Sequence, residues 1–163
     1  MLEQKLFLLL FEYAQKNETL QKVSSIVTRA SSKVFFIVYL VLLANLYLFN
    51  KDELLRNLAV PFVVLCYSTS LRSIIRRPRP YESLGIKPNG KSCRSCPSNH
   101  SACAMIIAFM GLQQNIYVGI ILILLAVCTG ISRVLTGAHY PSDVVFAFLL
   151  SISIFSLSTL LPI

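Results

Sequence analysis

His139 and Asp143 stand four residues apart in "SRVLTGAHYPSD", residues 132–143. That spacing brings two side chains onto one helix face. A carboxylate there can accept a proton from one imidazole nitrogen and leave the other free as a nucleophile. Two more polar islands precede this one. In "CPSNH", residues 96–100, Pro97 and Ser98 read as the start of a helix, with Ser98 able to cap it. Free backbone N–H groups in the first turn of a helix bind phosphate, aided by the helix dipole, and His100 falls in that turn. Arg72 and Arg79 form the earliest island, with Pro80 directly after. Together with Arg133 they supply guanidinium charge suited to gripping a transferring phosphoryl group.

The elements that must hold these groups are apolar. Charged residues make up 13% of the 163-residue chain and mean hydropathy is +0.68, against about 25% charge in soluble domains. Residues 34–50, 57–71, 101–132 and 144–163 contain no charge. A bilayer core of about 30 Å needs about 20 helical residues. The 32-residue stretch is therefore two spans, broken at Gln113-Gln114-Asn115. The expected fold is an all-α integral membrane bundle, a single domain over 1–163. Its five spans fall near 33–50, 56–74, 99–113, 116–133 and 141–162, and the catalytic loops cover 72–100 and 132–143. Residues 1–32 form an interfacial segment: Leu20, Val23, Val27 and Ala30 recur at helical spacing, which predicts an amphipathic helix or helical hairpin.

Counting crossings puts the loops after the second and fourth spans on one membrane face, so all three islands converge there. Taken singly, His-x3-Asp is more often a structural pair, "PSNH" a helix cap and Arg133 an interfacial anchor. Ionisable groups at membrane-helix ends are costly and need partners, and three such islands on one face argue for a site. Net charge is +8, and seven of the 15 basic residues lie between Arg72 and Arg94. Without interleaved aromatics, this basic loop fits lipid head groups better than nucleic acid. Snorkelling anchors account for Arg76 or Arg77. Cys66, Cys103 and Cys128 lie in apolar spans and read as small packing residues. Cys93 and Cys96 form a C-x2-C for which zinc would need ligands beyond His100; a loop disulfide in an oxidising compartment is an alternative, and the commonest explanation is that neither thiol matters to chemistry.

The three islands resemble the signatures K-x6-RP, PSGH and SR-x5-H-x3-D of the type 2 phosphatidic acid phosphatase superfamily. That family includes membrane lipid phosphate phosphatases and soluble vanadium haloperoxidases. Arg72 stands where the pattern has lysine, and Asn99 where it has glycine. The resemblance implies that His139 attacks phosphorus to give a phosphohistidine, that Asp143 orients it, and that His100 protonates the leaving oxygen and later activates water. It implies that Arg72, Arg79, Ser98, Asn99 (through its backbone) and Arg133 hold the phosphate, with no metal or other cofactor.

Five apolar spans set the haloperoxidase branch aside and imply a phosphorylated lipid substrate. The compact layout resembles small bacterial phosphatases of undecaprenyl diphosphate, a carrier lipid of wall synthesis. Phosphatidate, phosphatidylglycerophosphate and lipid A phosphates are alternatives, and a non-catalytic lipid-phosphate binder is the reading from another class. Such relatives sit in the plasma membrane with the site at its outer face. The charge pattern points the other way, since all basic residues except Lys51 and Arg56 fall on the catalytic side and basic loops favour the cytoplasm.

Overall fold

The computed structural model describes residues 2–83 and 94–160. Lys87, Lys91 and Cys93, and with them the C-x2-C pairing, lie outside the described residues. Among the described residues seven helices follow one another: α1 (Leu2–Lys16), α2 (Glu18–Phe49), α3 (Leu54–Ile75), the single turn α4 (Pro80–Ser83), α5 (Asn99–Gln114), α6 (Ile116–Leu135) and α7 (Pro141–Leu160). A 3-10 turn over Lys51–Glu53 links α2 to α3. The all-α bundle expected from the sequence is the architecture found.

The helix ends follow local chemistry. Asn17 separates α1 from α2, and its side chain caps α2 by accepting from the Leu20 N–H. Asn115 ends α5 and starts α6, its Oδ1 accepting from the N–H groups of Tyr117 and Val118 at 2.9 and 3.2 Å. The predicted break in the long uncharged stretch is this cap. Ser98 caps α5 as anticipated, accepting from the Ser101 N–H.

Among the described residues, four stretches are long and apolar enough to cross a membrane: Glu18–Phe49, Lys51–Ser83, Ile116–Leu135 and Pro141–Leu160. The 16-residue α5 is shorter and sits at the centre, packed on α2, α3, α6 and α7. Nine of its residues are buried, from Ser101 to Gly111, the pattern of a helix apolar on every side. Ala102, Ile106 and Ala108 have no exposed surface.

The boundary expected at residue 33 is absent. Residues 18–32 continue without interruption into the first span, so α2 has 32 residues. At 1.5 Å per residue that is about 48 Å, well beyond a bilayer core of about 30 Å. The surplus turns carry Lys22, Arg29 and Lys33 and reach the end of the bundle that holds Ser132 and Arg133. Only α1 is a separate element there, with Phe7 and Ala14 buried and Leu6, Leu9 and Tyr13 exposed.

Candidate active site

At the end of the bundle where α3, α6 and the start of α5 and α7 meet, the three polar islands come together. Chain geometry forces each into place. α3 ends at Arg76, which adopts the left-handed conformation (φ 47°, ψ 34°) and stops the helix. Arg77 and Arg79 each precede a proline, which holds them extended across the face. After α6, Gly137 turns the chain at φ 75°, and the Arg133 carbonyl accepts from the N–H groups of Ala138 and His139 at 3.0 and 3.2 Å. The islands are stitched directly: the Ser98 N–H donates to the Asp143 carbonyl at 3.2 Å.

His139 is 2% exposed. Its Nδ1 lies 2.7 Å from the carbonyl oxygen of Ser95 and 3.7 Å from Asp143 Oδ2. A carbonyl only accepts, so Nδ1 carries the proton and Nε2 keeps its lone pair. Burial pushes the imidazole below its usual pKa, opposed but not reversed by Asp143. The result is a neutral imidazole near pH 7 with a fixed tautomer. His139 is not on the helix face with Asp143, as the spacing predicted. Pro141 begins α7 and keeps Tyr140 out of helical geometry, so only Asp143 is helical.

Asp143 has no exposed surface and both of its oxygens are hydrogen-bonded. Oδ1 accepts from Arg77 Nη1 at 2.8 Å; Oδ2 accepts from the Tyr140 N–H at 2.9 Å and from the Ser95 hydroxyl. The proton of His139 thus goes to Ser95 rather than to Asp143, which acts on the ring by charge at the longer distance. Arg77, expected as an anchor, is a buried-side partner of the carboxylate instead.

Three guanidinium groups surround this core. Arg79 is close enough to both Arg72 and Arg133 for their charges to interact. Among the described residues, the Nε atoms of Arg79 and Arg133 are buried without a hydrogen-bond partner. Arg133 Nη2 donates to the Thr28 carbonyl at 3.2 Å, and Arg72 donates twice to the Arg94 carbonyl at 2.9 and 2.6 Å. Like charges held together with orphaned donors are unfavourable unless an anion completes them. His100, in the first turn of α5, lies within electrostatic range of Arg133, His139, Arg72 and Arg79. The Asn99 side chain turns to α3, Nδ2 donating to Thr69 Oγ1 at 3.2 Å. Cys96 is half-buried beside Asp143, and burial pushes its thiol up to about 11, which leaves it protonated and unreactive near neutrality.

From His100 and Asn99 an almost wholly apolar cavity of about 690 Å³ runs between α2, α3 and α5. Phe35, Phe36 and Tyr39 line one wall and Phe62 and Leu65 the other.

Residues 53–162 match the PAP2 superfamily. The chain belongs to that superfamily. It is 26% identical over 127 residues to undecaprenyl-diphosphatase BcrC of Bacillus subtilis, covering 72% of this chain and 64% of that protein. The PAP2 chain thus spans less than two thirds of that relative's length. Its fold is similar to that of Aquifex aeolicus LpxE (TM-score 0.79, 24% identity, 99% of this chain and 96% of the other). It is also similar to a transmembrane PAP2-type phosphatidylglycerolphosphate phosphatase from Bacillus subtilis (TM-score 0.61, 24% identity, 94% and 90%). With its long apolar helices, this PAP2 protein is a multi-pass membrane protein.

Each site residue expected from the sequence lies at this one end of the PAP2 bundle. Two contributors escaped sequence reasoning. Ser95 acts through its backbone carbonyl, which no residue type signals. Arg77 was hidden in a basic run, though its place before Pro78, like that of Arg79 before Pro80, marks both as held in extended backbone.

Proposed function

We propose that this PAP2 protein is a lipid phosphatase, acting through a phosphohistidine on His139, whose leading substrate is a polyprenyl diphosphate converted to the monophosphate. The observation that carries this is the pairing of a cation cluster holding two orphaned buried Nε donors with an apolar groove that opens at His100. A phosphorylated lipid supplies the anion to the first and the tail to the second.

Nε2 of His139 attacks phosphorus in line, and the bond from phosphorus to the leaving oxygen breaks as His100 gives that oxygen a proton. The bound anion's charge favours the protonated form of His100 at this step. Arg72, Arg79 and Arg133 stabilise the equatorial oxygens, and the capped first turn at Ser98 and Asn99 completes the cradle. The phosphorylated ring becomes cationic, with its Nδ1–H still donating to the Ser95 carbonyl and Asp143 nearby. His100, now neutral, takes a proton from water as the water oxygen bonds to phosphorus and the phosphorus–nitrogen bond breaks. These residues complete the cycle without a metal. The site faces outward on this reading, so Cys93 should react with an impermeant thiol reagent on intact cells; reaction only after lysis would reverse the orientation.

The decisive experiment is phosphate release in detergent from polyprenyl diphosphate, phosphatidate, phosphatidylglycerophosphate and lipid A phosphates. Wild type is compared with His139→Ala and His100→Ala, with and without chelator. Both variants should lose at least ~10³-fold in turnover, the chelator should have no effect, and polyprenyl diphosphate should be the best substrate. Full turnover by His139→Ala would remove the nucleophile. Binding without release by the wild type would make the chain a lipid-phosphate binder.

A further inference from the structure

We propose that Glu3 and Arg77 are positioning residues for the reaction, and that α1 is a clamp setting the geometry of His139. This rests on the assignment of His139 as nucleophile. Neither side chain touches the reacting atoms; both act through Asp143 and Ser95.

One guanidinium organises the back of the site. Arg77 Nη1 donates to Asp143 Oδ1 at 2.8 Å and to Ser142 Oγ at 2.7 Å, while Nη2 donates to Glu3 Oε2 at 2.7 Å. Ser142 closes the ring by donating to Glu3 Oε1. The backbone of Arg77 takes part as well, its carbonyl accepting from the Ser95 N–H at 2.9 Å. Arg77 therefore holds both groups that act on the imidazole: the carboxylate through its side chain, and the Ser95 carbonyl through its main chain. Glu3, 74 residues away in sequence, fixes the other arm of the fork.

The rest of α1 completes the clamp. The Arg77 guanidinium lies 4.2 Å over the Tyr140 ring, and Phe7 of α1 meets that ring edge-on at 5.3 Å. Phe7 stacks on Phe11 at 5.6 Å, and Phe11 lies against Gly137 so closely that a Cβ there would come within 3.0 Å of the ring. One face of α1 thus covers the loop carrying His139, while Leu9 and Tyr13 are 68% and 65% exposed on the other. A helix of this kind lies in the bilayer interface. A mere anchor needs only that outer face and has no use for a charged tip gripping Arg77.

The two roles separate kinetically. A positioning role predicts that Glu3→Ala lowers kcat about 10-fold with KM little changed, since small misplacements of a reacting group are costly in rate. The fall should be the same for a polyprenyl diphosphate in vesicles and for water-soluble para-nitrophenyl phosphate. Glu3→Asp should recover most of the loss, and Arg77→Ala should be worse than Glu3→Ala, with Arg77→Lys between. Rates are normalised to folded protein, taken as the monodisperse fraction on size-exclusion chromatography in detergent, so unfolded protein does not count. An anchor would instead raise KM for the vesicle substrate alone and leave the soluble ester untouched, and that result overturns the proposal, as would an unchanged kcat in Glu3→Ala. His139→Ala is the control: its full turnover would defeat the nucleophile assignment, whereas its inactivity beside a fully active Glu3→Ala would defeat only the clamp.

Discussion

The Ser95 carbonyl oxygen is 2.7 Å from Nδ1 of His139, a full ångström nearer than Asp143 Oδ2 at 3.7 Å. The tautomer of His139, the proposed nucleophile, is thus set by a main-chain acceptor that carries no charge. On the proposed mechanism Asp143 is left with a different task, which is to oppose the positive charge that appears on the ring when Nε2 bonds to phosphorus.

These two tasks respond differently to Asp143→Asn. The amide can still accept from the Tyr140 N–H, and the Ser95 carbonyl still takes the Nδ1 proton, so the nucleophile stays correctly protonated. The charge is lost, and so is the acceptor facing Arg77 Nη1, because the amide nitrogen placed there only donates. Turnover should fall on the order of 10²-fold, as for removal of one preorganised electrostatic partner, with KM nearly constant. Where a carboxylate itself sets the tautomer, the equivalent change costs about 10⁴-fold. A kcat loss of that larger size would show that Ser95 does not hold the ring unaided.

The orphaned Nε atoms of Arg79 and Arg133 make a prediction about geometry rather than charge. Lysine at either position keeps the positive charge and loses the planar fork with its Nε donor. Arg79→Lys and Arg133→Lys should each reduce kcat/KM by roughly 10²-fold. Inhibition by orthovanadate, which presents a five-coordinate arrangement of oxygens, should weaken more than inhibition by phosphate. Equal weakening of the two would mean that the guanidinium groups recognise charge alone.

How much of this was legible in the sequence depends on whether side-chain type or backbone does the work. The convergence of His100, Arg133 and Asp143 was readable because their proposed roles require those side chains at fixed spacing beside helix ends. Ser95 was not, because any residue offers a carbonyl. Arg77 was misread because a guanidinium near a span end has an ordinary use as an anchor, and its partner Glu3 is brought to it only by the fold. The length of α2 was misjudged for a physical reason too. Lys22, Arg29 and Lys33 interrupt the apolar run as they would at an interface, yet the helix continues beyond the bilayer core. There Thr28 meets Ser132 at 3.0 Å and receives Arg133.

Burial of His139 has a pH consequence. Its pKa in the folded protein is below the ordinary imidazole value of about 6.5, so the unfolded chain binds this proton at higher pH than the native state does. Stability from this group is therefore intact above about pH 6.5 and is lost as pH falls from there towards the folded value. The thermal midpoint in detergent should drop between pH 7 and 5, and His139→Gln should flatten that portion of the curve. The acid limb of kcat/KM assigned to His139 should likewise lie below 6.5. A midpoint that rises on acidification in the wild type but not in His139→Gln would reverse the sign of the shift.

Two glycines separate stability from chemistry. Gly119 of α6 faces α5 so closely that an added Cβ would lie 2.2 Å from the Cα of Leu112, which is backbone and cannot move aside alone. Gly119→Ala must force apart the two helices at the end remote from His139, at a cost of about 1–3 kcal/mol. Gly137 is different. It takes φ +75°, and its added Cβ would press on Phe11 of α1 at 3.0 Å, so alanine there strains the loop that carries the nucleophile as well as the clamp that covers it. At a temperature where both variants are fully folded, Gly119→Ala should keep wild-type kcat with a lowered thermal midpoint, while Gly137→Ala should lose both. Equal kcat in the two would mean that the His139 loop tolerates displacement of α1.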